Sequence, residues 1–181
     1  MGNSVARCAV EETGNACVSA AGLSIADGAI AAKAVAFGEA SQPSFRTYTS
    51  RVVENCRVLA QALADGGLAI ISGGTDCHLA VVDLRPFGVT GNVAEKALES
   101  VGITLNKNAI PNDPKKPMAT SGVRAGSAAG TSRGFGAGEF REIAAMMLGT
   151  LRAARHGRLE AERRGINLRV RQIVARVPLP Y

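Results

Sequence analysis

Two apolar runs, Leu68-Ala-Ile-Ile-Ser72 and His78-Leu-Ala-Val-Val-Asp-Leu84, read as strands, and only the turn Gly73-Gly-Thr-Asp76 separates them in the core of the motif. A link that short closes an antiparallel hairpin and cannot hold the crossover that a parallel pair needs. The hairpin opens a stretch from Ser72 to Phe135 that holds three motifs in order: SGGTDCHLAVVDL, TLNKNAIPNDPKKP and TSGVRAGSAAGTSRGF. Each joins a strand-like run to a loop rich in Gly, Asn, Pro or Ser, where polar groups can be held in fixed positions.

Helical patterns surround this stretch. Ala29–Ala40 has Ile30, Ala34, Val35 and Phe37 near one face, and Gln42-Pro43 interrupts it. Thr49 or Ser50 then caps a second helix, in which Val52, Val53, Cys56, Leu59, Ala60 and Leu63 recur at helical spacing until Gly66-Gly67. This reads as a helix pair whose inner faces cover a sheet. Thr90 opens a third helix, with Val93, Ala94, Ala97 and Leu98 on one side, and Gly102 ends it before a strand over 103–105. The three prolines between Pro111 and Pro117 predict a stiff, extended loop, which costs little to order on a ligand. Phe140, Ile143, Ala144, Met147 and Leu148 share a side of a later helix, followed by an Arg-rich run with Ile166, Val170, Ile173, Val174 and Val177 at helical spacing.

Composition narrows the function classes. The chain has 181 residues, enough for one domain with its own core, and with aromatics at 4% and no Trp that core must be aliphatic. A stacking platform for single-stranded nucleic acid is not expected. The net charge of +6 lies entirely in the last 31 residues, which hold eight Arg and two Glu, so the body carries no basic footprint and nucleic acid is not the expected partner. The Arg-rich helix is expected to pack inward with its guanidinium groups in water. Cys8, Cys17, Cys56 and Cys77 form no CxxC pair and read as isolated thiols. No long apolar run suggests a membrane span, and Glu11-Glu12 spoils a secretory signal, so a cytoplasmic protein is expected. Residues 1–28 read as a divergent, frayed N-terminal segment ahead of a domain over 29–181.

Arg124, between small residues in Ser121-Gly-Val-Arg-Ala-Gly126, is the sharpest chemical feature. Its planar fork of donors suits a substrate carboxylate, and an internal Asp or Glu would satisfy it equally well. Lys107, Lys115 and Lys116 could meet an anion or simply be solvated. His78 suits a structural role at a strand start, and Lys33 sits in a helix-forming Ala run where a cofactor lysine is not expected.

From about Ile30 to Leu151 the chain resembles the C-terminal part of serine hydroxymethyltransferase, through IAAKAVAFGEA, ISGGTDCHL with VVDL, TLNKNAIPNDPKKP, TSGVRAG and TSRGF; VPLPY also looks like that family's end. The resemblance implies the small domain of a fold-type I PLP enzyme, an α/β (α+β type) fold whose short, mostly antiparallel sheet is covered by helices on one side. It also implies the PLP-dependent transfer of a one-carbon unit between serine and tetrahydrofolate, giving glycine. Arg124 falls on the family's carboxylate-binding Arg and Asn108 on an Asn near the folate. Lys116, Pro117 and Met118 fall on a folate-contacting triplet usually written Ser-Pro-Phe. The family's PLP lysine lies in a Thr-rich THK motif that these residues do not include, and its GGPLMH run is replaced by Leu23-Ser-Ile-Ala-Asp-Gly28. PLP chemistry needs that lysine and a partner for the ring nitrogen. The expectation is a truncated relative that does not bind PLP or turn over alone. The resemblance implies amino-acid and reduced-folate ligands, and the alternative is a non-catalytic module that forms homo-oligomers or pairs with a full-length homologue.

Overall fold

The computed structural model describes residues 25–178, so the expectations for Cys8, Cys17 and the rest of the first 24 residues lie outside it. The chain divides into two compact units, one ending at Thr47 and the other beginning at Tyr48.

The described part of the first unit holds helix α1 (Ile25–Ala40) and the first turn of α2 (Pro43–Asp65). On α1, Ile30, Val35 and Phe37 are exposed. Gln42-Pro43 does not delay the second helix as the sequence suggested. Pro43 is its first residue, where the missing N–H would be unsatisfied anyway and the fixed φ suits a helix. Thr49 and Ser50 are therefore interior residues.

The second unit is built on a four-stranded sheet, β1 (Ala69–Ile70), β2 (Leu79–Asp83), β3 (Asn106–Asn108) and β4 (Gly122–Gly126), in the order β1-β2-β4-β3 with every pairing antiparallel. This is the α/β architecture expected. The hairpin is present, with Ile70 opposite Val82, but its strands stop short because Ser72 and Gly73 take left-handed φ values of 66° and 73°. The third strand lies three residues later than the apolar pattern suggested. Ile103 and Leu105 plug the core as loop side chains, while the ladder to β4 is formed by Asn106-Lys-Asn108. Backbone pairing needs no apolar side chain, so here tertiary context overrides propensity.

One sheet face is covered. Ala80 and Val82 of β2 and Val123 and Ala125 of β4 are buried on it. Leu59 and Leu63 of α2, Ala94 and Leu98 of α3 (Gly91–Ser100), and Phe140, Ala144, Met147 and Leu151 of α5 (Ala137–Arg155) close over it. The short helix α4 (Ala128–Arg133) is tied to α2 by buried Asn55, which donates to Thr131 Oγ1 at 3.0 Å and to the Phe135 carbonyl at 3.1 Å. Gly157, at φ 67°, separates α5 from α6 (Leu159–Arg176). The latter turns Ile166 and Ile173 onto Val101 and Met146 and leaves its Arg side chains exposed, as the sequence suggested. Val174, assigned to the apolar side, is 37% exposed. Among the described residues no helix is long and apolar enough to cross a membrane.

Candidate functional site

Because Val123 and Ala125 turn into the core, Gly122, Arg124 and Gly126 belong to the opposite face of the sheet. Register fixes what stands beside them there. Asn106 of β3 and Val81 of β2 are opposite Arg124, while Asn108 and Asp83 are opposite Gly122. Within the second unit the helices pack on the first face or on one another, and Arg124 and Asn106 remain exposed on this one. Arg124 and Asn108 thus share a face on adjacent strands, about 7–8 Å apart on the diagonal.

Among the described residues the Arg124 side chain makes no ion pair or hydrogen bond, so the internal acid that its sequence context left open is not there. Asp83, the acid of β2 on the same face, is already engaged. Arg85 grips it with Nε at 2.9 Å and Nη2 at 2.7 Å from Oδ2. Burial opposes ionisation of Asp83, but the bonds from Arg85 outweigh it and hold its pKa below the usual carboxylate value. The Arg124 guanidinium is thereby left exposed and without an acid partner on the sheet face that the second unit's own helices do not cover.

Lys107 is not available in that way. Its N–H and its Nζ both reach Glu95 of α3, at 3.0 and 3.3 Å, which lowers the Glu95 pKa and fixes β3 to the helix layer. Lys115, Lys116, Pro117 and Met118 are exposed on the connection between β3 and β4, with Met118 79% exposed. This connection is a run of turns rather than the extended segment its prolines suggested. Asn112 has φ 54°, and the Lys116 carbonyl accepts from the N–H groups of both Ala119 and Thr120. His78 behaves as a strand-start residue: its carbonyl accepts from Ser127 N–H at 3.0 Å and its side chain is exposed. Burial pushes the Cys56 thiol pKa up, whereas Cys77 is exposed.

The described residues do not by themselves fit PLP. Lys33, Lys96, Lys115 and Lys116 are exposed, and Lys107 is paired with Glu95, so no lysine stands in a pocket beside an acid that could meet a ring nitrogen. A cleft of about 220 Å³ lies between α2 and the loop after β1, lined by Arg57, Gln61, Ile70 and Thr75. It contains no lysine, and Ile70 faces away from Arg124.

A family profile described as serine hydroxymethyltransferase matches residues 22–147. The chain belongs to the serine hydroxymethyltransferase family. It is 76% identical over 152 residues to "Serine hydroxymethyltransferase 1" of Rhodospirillum rubrum, covering 84% of this chain and 35% of that relative. It is 74% identical to "Serine hydroxymethyltransferase 2" of Rhodopseudomonas palustris and 56% identical to "Serine hydroxymethyltransferase 1" of Bordetella parapertussis, with the same coverage in both cases. The chain therefore spans about 35% of the length of the curated relatives it matches.

Three features of this chain went unread in the sequence: the Asp83–Arg85 clamp, Asn106 beside Arg124, and the role of Asp113. Asn-Asp-Pro is a turn signal that could have pointed to Asp113. The Ser121 side chain holds the Asp113 carboxyl well below the usual carboxylate range, aided by the N–H groups of Lys115, Ser121 and Ile110. Asp83, Glu95 and Glu139 are shifted in the same direction, Glu139 chiefly by its bond from Gly136 N–H. Each carboxyl ionises more readily folded than unfolded, so its stabilisation is complete above about pH 5 and drains away as pH falls towards the folded values. Thermal melts between pH 5 and pH 2 should show Tm dropping steadily. Asp113→Asn should start lower at pH 5 and lose less over the same range, and a parallel curve would contradict this assignment.

Proposed function

We propose that this chain forms the side of a serine hydroxymethyltransferase active site that holds the amino-acid carboxylate and the reduced folate. Arg124 receives the carboxylate, Asn108 lies next to it towards the folate, and Lys116, Pro117 and Met118 offer further folate contacts from the exposed β3–β4 connection. The observation that carries this reading is the unpaired Arg124 guanidinium on a sheet face that the second unit's own helices leave open. A cation already matched by an internal acid could not do this work.

PLP and its Schiff-base lysine are assigned to protein outside these residues, and the chain alone is expected to be inactive. The test is a graft in which the matching 152 residues of the Rhodospirillum rubrum relative are replaced by those of this chain. The graft should bind PLP and convert serine to glycine with tetrahydrofolate. A folded, PLP-loaded graft with no serine turnover would refute the assignment.

A second reading is an interaction module that pairs with a full-length relative. Its support is apolar area in water on α1, where Ile30, Val35 and Phe37 are 65%, 55% and 72% exposed. Size-exclusion chromatography should then show a dimer or a complex with the full-length protein. A lone monomer in both runs speaks against it.

A further inference from the structure

Residues 109–121 join two neighbouring strands without a helix or strand of their own. Left to itself, a connection of that length is expensive to order and should sample many shapes. The structure shows what holds it. Asp113 Oδ2 accepts from Ile110 N–H at 3.2 Å and Ser121 N–H at 2.8 Å, while Oδ1 accepts from Lys115 N–H at 2.9 Å and Ser121 Oγ at 2.6 Å. Ile110 follows the end of β3 and Ser121 precedes β4, so one carboxylate clasps both ends of the connection as well as its middle.

The clasp has a consequence on the open face. Ile110 is buried over Gly122, the residue opposite Asn108 and two before Arg124 on β4, so its place shapes the floor there. Beyond the clasp, the Ala119 and Thr120 carbonyls accept from Asn92 and Gly91 N–H, which seats the far end of the connection on the start of α3. Lys116–Met118 lie between these two fixed points.

We infer that Asp113 is the positioning residue of the ligand loop: it presets residues 109–121 so that Asn108 and Lys116–Met118 meet a reduced folate without a prior ordering step. This rests on the assignment of that ligand to the open face. Preorganisation of this kind raises affinity by removing the entropy lost on binding. It acts on the folate and leaves the carboxylate grip of Arg124 untouched.

Asp113→Asn is the informative change. It keeps the shape, but an amide has a single acceptor oxygen, and its NH2 would confront N–H donors. Ser121→Ala removes one bond of the four and should have a small effect. Hydrogen exchange on the full chain and calorimetric titration with 5-formyltetrahydrofolate and with glycine separate the possibilities. In Asp113→Asn, the amides of Ile110, Lys115 and Ser121 should exchange about tenfold faster or more while those of β2 and β4 stay protected. Folate affinity should fall about tenfold and glycine affinity should hold. Unchanged loop exchange, or equal loss of both ligands with opening of the β2–β4 ladder, overturns the inference. If the unmutated chain takes neither ligand, the site assignment falls. Exchange then decides separately whether Asp113 presets the loop: faster loop amides support it, and unchanged ones overturn it.

Discussion

Gly122→Ala is expected to destabilise the second unit by about 3 kcal/mol, at the upper end of the range for overpacking. A methyl group at this position would stand 2.8 Å from the Val82 carbonyl oxygen, 3.0 Å from that of Asn108 and 2.7 Å from Ile110 Cγ2. Two of the three obstacles are backbone atoms held by ladders on both sides of β4, so neither can swing away. Relief would require β4 to separate from β2 or β3. For a unit of this size the effect corresponds to a fall in Tm of about 6–12 °C, read by calorimetry. Gly149→Ala supplies the opposite sign. That glycine is inside α5 with nothing within 4 Å of an added methyl, so replacing it should stabilise by about 1 kcal/mol. Equal shifts for the two variants would show that the sheet does not close as tightly around Gly122 as the ladders require.

The same glycine illustrates what the sequence could and could not disclose. Its neighbours Val123 and Ala125 alternate with Arg124, so a strand through the TSGVRAG motif and an outward Arg were open to inspection. That β4 is central, with β2 on one side and β3 on the other, was not, because strand order depends on pairing across 40 residues or so and no local pattern encodes it. The helices α3 and α5 were legible since their apolar residues recur at helical spacing over several turns. The start of α2 was not, because Pro43 serves equally as a breaker and as a first residue, and only the following turn decides. Asn106-Lys-Asn108 looked like a loop for the same reason that Ile103 and Leu105 looked like a strand: the period-2 signal reports burial, and here burial and backbone pairing fall on different residues.

In the candidate site, legibility followed chemistry. A long cation among glycines and alanines was conspicuous, and in the fold it is exposed, with no internal acid paired to it among the described residues. Asp113 was hidden in a proline-rich run because its partners are mostly backbone N–H groups, which every sequence has. Lys107 was misread for a related reason. Its acid, Glu95, lies 12 positions earlier on a helix, and only the packing of α3 against β3 brings the two together.

The largest functional effect is expected for Arg124→Ala in the graft proposed above. Truncating one partner of a charge-assisted pair costs about 2–5 kcal/mol, which is roughly 30-fold to several thousandfold in kcat/KM for serine. Stability should barely change, within about 0.5 kcal/mol, because the exposed side chain has no partner among the described residues to lose. That combination separates a ligand-holding cation from a structural one, whose removal would lower Tm and activity together. Arg124→Lys should recover only part of the loss, since an ammonium group keeps the charge but not the fork that meets both carboxylate oxygens. KM for serine should rise while KM for tetrahydrofolate stays put, the mirror image of the Asp113→Asn pattern. The two variants thereby divide the open face into a carboxylate half and a folate half. An Arg124→Ala graft whose KM for serine stays within threefold of the parent would leave that guanidinium without a ligand, and the division with it.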